Sequence, residues 1–145
     1  MGKTITFTGD FLRMKAIEND IEQSVLDALA QEALKDAFHQ IQGNFNQAIT
    51  KLKSNGKTVN WDKHGDVKST LLTAPKIKEM KGGGYRVYVG FDISQSLVSQ
   101  YLIYGTPRIK PSKTAVNAMY SKKTNQEISR IFEAHFDEFL SQYLT

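Results

Sequence analysis

The sequence has no cysteine, only three prolines and a single tryptophan in 145 residues. Without thiols there is no disulfide-stapled secreted module, no thiolate zinc site, no iron–sulfur centre and no cysteine nucleophile. Long apolar runs are missing as well: no stretch approaches the roughly 18 apolar residues of a membrane-spanning helix. The first ten residues carry one lysine and no apolar run of the length a secretory signal needs. These absences predict a protein made and kept in the cytoplasm, or in an assembly built there, with no membrane partner.

Catalytic patterns are equally scarce. The three histidines, His39, His64 and His135, stand far apart, and none has a second histidine or a carboxylate at the spacing of a metal motif. His64, between Asp62 and Asp66, reads as a solvated loop residue, with a weak metal site as the alternative, and His135, between Ile131 and Phe139, as a histidine at the edge of a core. The acidic pairs Glu18/Glu22 and Asp20/Asp27 read as a solvated helix face rather than as paired catalytic carboxylates. No Gly-x-Ser-x-Gly elbow occurs, and Lys81-Gly82-Gly83-Gly84 lacks the Gly-Lys-Ser/Thr ending of a phosphate loop. The expectation is a protein that is not an enzyme and uses no cofactor or metal.

What is present is an ordinary globular balance, 40% hydrophobic and 23% charged, in a chain long enough for one core. A single domain spanning 1–145 is expected. The net charge of +4 is unevenly spread: residues 10–50 carry −4, residues 51–123 carry +10 and residues 124–145 carry −3. A basic middle between acidic ends suits a polyanion partner, a self-complementary assembly surface or a solvated lysine-rich face.

Lys3–Gly9 alternates as a short strand with Ile5 and Phe7 on its apolar face. From Phe11 to Lys53, Ile17, Ile21, Val25, Leu29, Leu34, Phe38, Ile41, Phe45, Ala48 and Leu52 form an apolar stripe. It predicts one amphipathic helix of some forty residues, about 60 Å long, or two helices broken near Gln31 or Gly43. Residues 55–68, with Trp61, read as a polar loop carrying at most a short strand. Ser69–Met80 and Tyr85–Phe91 form a β-hairpin across the Lys81–Gly84 turn, the first run at a sheet edge because of Pro75. Thr114–Tyr120 reads as a helical piece. A last helix starts at Thr124, with Glu127 at capping-box spacing, and carries Ile128, Ile131, Phe132, His135, Phe136, Phe139, Leu140 and Tyr143. The fold class is α+β: a long N-terminal helix and a C-terminal helix packed on a small, mainly antiparallel sheet with a projecting hairpin.

Lys76, Lys78, Lys81 and Arg86 fall at or near the hairpin tip, with Arg108 and Lys110 in a second basic stretch held extended by Pro107 and Pro111. Such residues suit phosphate contacts without base readout.

The run Tyr101-Leu102-Ile103-Tyr104-Gly105-Thr106, followed by Pro107, Pro111 and a terminal amphipathic helix, resembles the head–tail joining proteins of long-tailed, siphovirus-type bacteriophages. Tyr104, Gly105, Thr106 and Pro111 are the family-like positions. The resemblance implies a structural virion protein of the neck or tail-completion type, present as a ring of six or twelve copies around the DNA channel. It would be assembled in the host cytoplasm beside head-completion and tail proteins, with DNA passing through without sequence readout. Lys76, Lys78, Lys81, Arg86, Arg108 and Lys110 then face a partner ring or the DNA. The alternative is a small sequence-independent nucleic-acid-binding protein.

Overall fold

A computed structural model describes residues 3–8, 22–51, 53–54, 57–58, 69–92 and 113–143. The architecture is α+β. Strand β1 (Lys3–Thr8) precedes helix α1 (Gln23–Ile49), and two two-residue strands, β2 (Lys53–Ser54) and β3 (Lys57–Thr58), follow. Next come β4 (Lys78–Glu79), β5 (Gly84–Val89), helix α2 (Lys113–Tyr120) and helix α3 (Lys122–Tyr143). Three strands form one sheet in the order β1-β5-β4, with β5 central, and β2 pairs with β3 in another.

The chain divides into two compact units: residues 1–3, 40–74 and 89–124 in the first, residues 4–39, 75–88 and 125–145 in the second.

In the first unit the core is Phe45, Ile49, Phe91, Ala115 and Met119, with Leu71 and Val116 packed against it. Phe45 meets Phe91 edge to face, centroids 5.5 Å apart. Burying each of the large side chains stabilises the unit by about 1.5–3 kcal/mol. Gln42 is the buried polar group here. Its Nε2 donates to the Gly90 carbonyl at 3.1 Å, and the Gly90 N–H donates to its Oε1 at 2.6 Å. Gly90 has φ 112°, a conformation open to glycine and strained for other residues. The backbone around it is held by Leu72 N–H to the Gly90 carbonyl and Asp92 N–H to the Thr70 carbonyl.

In the second unit β5 alternates as its sequence requires: Tyr85 and Val87 are buried, Arg86 is half-buried and Tyr88 exposed. β1 does the same, with Ile5 and Phe7 inside and Thr4, Thr6 and Thr8 outside. Phe7 packs on α3, edge-on to Phe132 at 5.1 Å and stacked on Phe136 at 6.1 Å. The helical core residues are Leu26, Ala30, Ala33, Leu34, Ala37, Phe38, Ile128 and Phe136.

The long helix departs from expectation in three ways. It has 27 residues, about 40 Å, and Lys53, expected at its end, belongs to the β2–β3 hairpin with Lys53 opposite Thr58. It is continuous through Gln31 and Gly43, because exposed Gly43 loses no contact there and intrahelical hydrogen bonds carry across it. Its buried face runs through Leu26 and the alanines, while Val25, expected inside, is exposed. Ile17, Ile21 and Leu52 lie outside the described residues, as do His64 and Trp61.

The last helix also starts earlier than Thr124. Ser121 is its N-cap: its Oγ accepts the Thr124 N–H at 3.1 Å, the bond from the N3 position that capping requires. Thr124 is buried instead, donating its hydroxyl toward the Asn117 and Ala118 carbonyls that end α2. The expected strand over Ser69–Met80 reduces to an isolated Leu71–Phe91 bridge and β4, because Pro75 lacks the N–H that a continuous ladder needs.

Candidate functional site

Two surfaces of the second unit gather the side chains from which a function can be argued. The first is the hairpin. β4 and β5 are antiparallel, with Lys78 opposite Arg86 and Glu79 opposite Tyr85. The turn closes through Gly83 N–H to the Met80 carbonyl and Met80 N–H to the Gly84 carbonyl, both 3.0 Å. Gly83 and Gly84 stand at φ 87° and 89°, which explains why the turn is built from glycines. The ladder spans two residue pairs, and β5 is at the same time the middle strand of the sheet.

Lys76, Lys78 and Lys81 are exposed as expected. Arg86 is half-buried, with its guanidinium carbon 5.6 Å from the Tyr88 ring centroid, and its Nε is buried without a hydrogen-bond partner. Residues directly opposite in a ladder share a face, so Lys78 and Arg86 place two cations side by side, an arrangement that weakens a sheet. Exposed Tyr88 lies on the same face, two residues along β5 from Arg86. The hairpin thus brings Lys78, Arg86 and Tyr88 together and leaves Lys76 and Lys81 as exposed cations near them in sequence. Arg108, Lys110, Tyr104, Gly105, Thr106 and Pro111 lie outside the described residues.

On the other face, Tyr85 is buried and its phenol bonds to Asp27 and Gln31 of α1. Burial pushes its pKa above the usual tyrosine value, and the negative charges of Asp27 and Glu79 raise it further.

The second surface was not foreseen from the sequence. At the β1 edge a groove of about 430 Å³ opens between β1 and α3. Its floor is Phe7, Phe132, Phe136 and Leu140, and Glu133 and Asp137, one helical turn apart, line it from α3. Both acids are exposed. The signal for it was present: Phe132, Phe136 and Leu140 recur every four residues immediately beside Glu133 and Asp137.

Of the three histidines, His39 and His135 lie among the described residues, and neither of these two stands in a catalytic arrangement. His135 Nε2 pairs with Asp36 Oδ2 at 2.5 Å, tying α3 to α1. His39 is exposed, its ring edge-on to Phe38. In the first unit Lys3 lies 5.4 Å from the Tyr120 ring centroid, and burial lowers its pKa from the usual lysine value. Among the described residues, no group of three or more His, Cys, Asp or Glu could hold a metal ion, and no helix is long and apolar enough to cross a membrane.

No family model, curated protein or solved structure matches this chain. The fold is α+β, and among the described residues its second unit carries an acid-lined apolar groove and a basic hairpin.

Proposed function

We propose that the chain is a structural virion protein of a tailed bacteriophage, acting at the neck or tail-completion position where head joins tail. The observation that carries this reading is the order of its parts. A strand, a long helix, a basic hairpin, the Tyr101–Thr106 run with Pro107 and Pro111, and a terminal amphipathic helix follow one another as in the joining proteins the sequence resembles. A ring around a DNA channel needs an interface in which one patch meets a different patch on the next subunit, and separate acidic and basic surfaces on one unit supply such a pair. Scattered Lys and Arg without a base-reading motif suit a channel through which DNA must slide.

A second reading draws on the Lys78, Arg86 and Tyr88 face, where cations flank an exposed aromatic ring: a sequence-independent nucleic-acid-binding protein. Light scattering over a wide concentration range, at low and high salt, separates the two. The joining reading expects a discrete six- or twelve-fold species that dissociates with salt, and weak duplex binding by the free subunit. It also expects Lys76→Glu/Lys78→Glu/Lys81→Glu to abolish particle assembly, and normal assembly by that variant would refute the hairpin's role. Tight duplex binding that falls steeply with salt would favour the second reading.

A further inference from the structure

We infer that the chain associates head to tail with a second copy of itself, the Pro75–Met80 stretch of one copy lying in the β1–α3 groove of the next. The closing of such an array into a ring rests on the joining reading above, whereas the contact itself rests on the complementarity of two surfaces.

The groove dictates the chemistry of its occupant. Half-buried Phe132 and Leu140, over the buried rings of Phe7 and Phe136, give it a floor that accepts an apolar side chain, and the exposed carboxylates of Glu133 and Asp137 favour flanking cations. Among the described residues no lysine or arginine pairs with either acid.

Pro75–Met80 has the matching pattern. Ile77, half-buried, sits between exposed Lys76 and Lys78, with Lys81 just beyond, and Glu79 is the one opposing charge. This stretch carries β4 at one edge of the sheet, while the groove lies at the other edge, along β1. Opposite edges of one sheet face apart, so a two-fold pair cannot satisfy both. Each added copy covers one groove and leaves another open, which generates a ring if the rotation closes and a filament if it does not. An exposed sheet edge is also the surface on which an extended segment docks most readily.

The absence of cysteine makes the test direct. Thr6, Thr8, Lys76 and Lys78 are all exposed, so single cysteines there should leave the fold intact. A disulfide forms only between Cα atoms about 4.4–6.8 Å apart. Mild oxidation of Thr6→Cys or Thr8→Cys chains mixed with Lys76→Cys or Lys78→Cys chains should give covalent dimers that neither partner gives alone. A chain carrying both a Thr and a Lys replacement should give a ladder of multimers.

Glu133→Lys/Asp137→Lys, or Lys76→Glu/Lys78→Glu, should each weaken association at least about tenfold, and the chain carrying all four should recover it. Self-cross-linking of Thr6→Cys alone would show a two-fold contact and overturn the proposal. A discrete oligomer with no mixed disulfide, indifferent to the charge exchange, would overturn the contact while leaving the ring standing. A chain monomeric at every concentration, with no mixed disulfide, would overturn it too. The joining reading would then be judged on particle assembly alone.

Discussion

Replacing Gln42 by leucine tests the least conventional element of the first unit, a helix side chain that takes the place of a neighbouring strand. Gln42 is 4% exposed, and its amide both donates to and accepts from Gly90. Leucine fills a similar volume but offers neither bond. The Gly90 carbonyl keeps the Leu72 N–H at 2.9 Å, so the loss falls mainly on the Gly90 N–H, which becomes a buried donor without a partner. Such a group costs about 1–3 kcal/mol, and the extra apolar burial of leucine returns a part of it. The expected net destabilisation is about 1 kcal/mol, a fall in Tm of about 2–4 °C for a chain of this size.

Urea unfolding should show a lower midpoint with an unchanged slope, and hydrogen exchange at the Gly90 amide should accelerate well beyond that of its neighbours. Asn46→Ala is the control: Asn46 is exposed and gives Gln42 only an i,i+4 bond, so its removal should cost no more than about 0.5 kcal/mol. If Gln42→Leu were as stable as the parent and Gly90 stayed protected, the strand-replacing role would be refuted.

Two further outcomes are expected. Gly43→Ala should stabilise the chain by about 0.5–1 kcal/mol in urea titrations, because Gly43 is mid-helix and an added Cβ meets nothing within 4 Å. Tyr85 should make stability fall at alkaline pH. Its folded pKa is raised by burial and by Asp27 and Glu79, so both states keep the proton below about pH 10, and above that the unfolded chain releases it first. The contribution is therefore whole at neutral pH and lost as pH rises through the folded value. Between pH 9 and 11 the urea midpoint of the parent should drop faster than that of Tyr85→Phe, and parallel profiles would contradict the assignment.

Much of the fold was legible because period and composition coincide. Tyr85–Phe91 alternates strictly and contains the central strand; Ile128, Phe132 and Phe136 recur at helical spacing and lie on a helix. Errors arose where a small residue did the work of a large one. The first turns of α1 bury Leu26, Ala30 and Ala33, and a reading that follows bulky side chains picks Val25 instead. Thr124 was expected as the cap of the last helix, and Ser121, three residues earlier, takes that role. Thr124 is drawn inward by the carbonyls of α2, a tertiary demand that no local pattern carries. The hairpin cations were legible from spacing alone, since a glycine turn and flanking alternation place them. Of the groove only the α3 wall was legible, in the spacing of Phe132, Phe136 and Leu140; its other wall was not, because Phe7 and Phe132 meet across more than a hundred residues of chain.

The Lys78–Arg86 pairing makes the hairpin electrostatically frustrated. Two like charges across a ladder weaken it by something on the order of 0.2–1 kcal/mol, and the buried Arg86 Nε has no acceptor to offset this. Salt should therefore act on the protein with opposite signs in its two states. In the free subunit, counterions screen the repulsion and tighten the hairpin; in a complex with an acidic surface, the same counterions compete with the partner that relieves it. An acidic partner would stiffen β4 against β5 as it bound, so that ordering of the hairpin and loss of its ion atmosphere become one event.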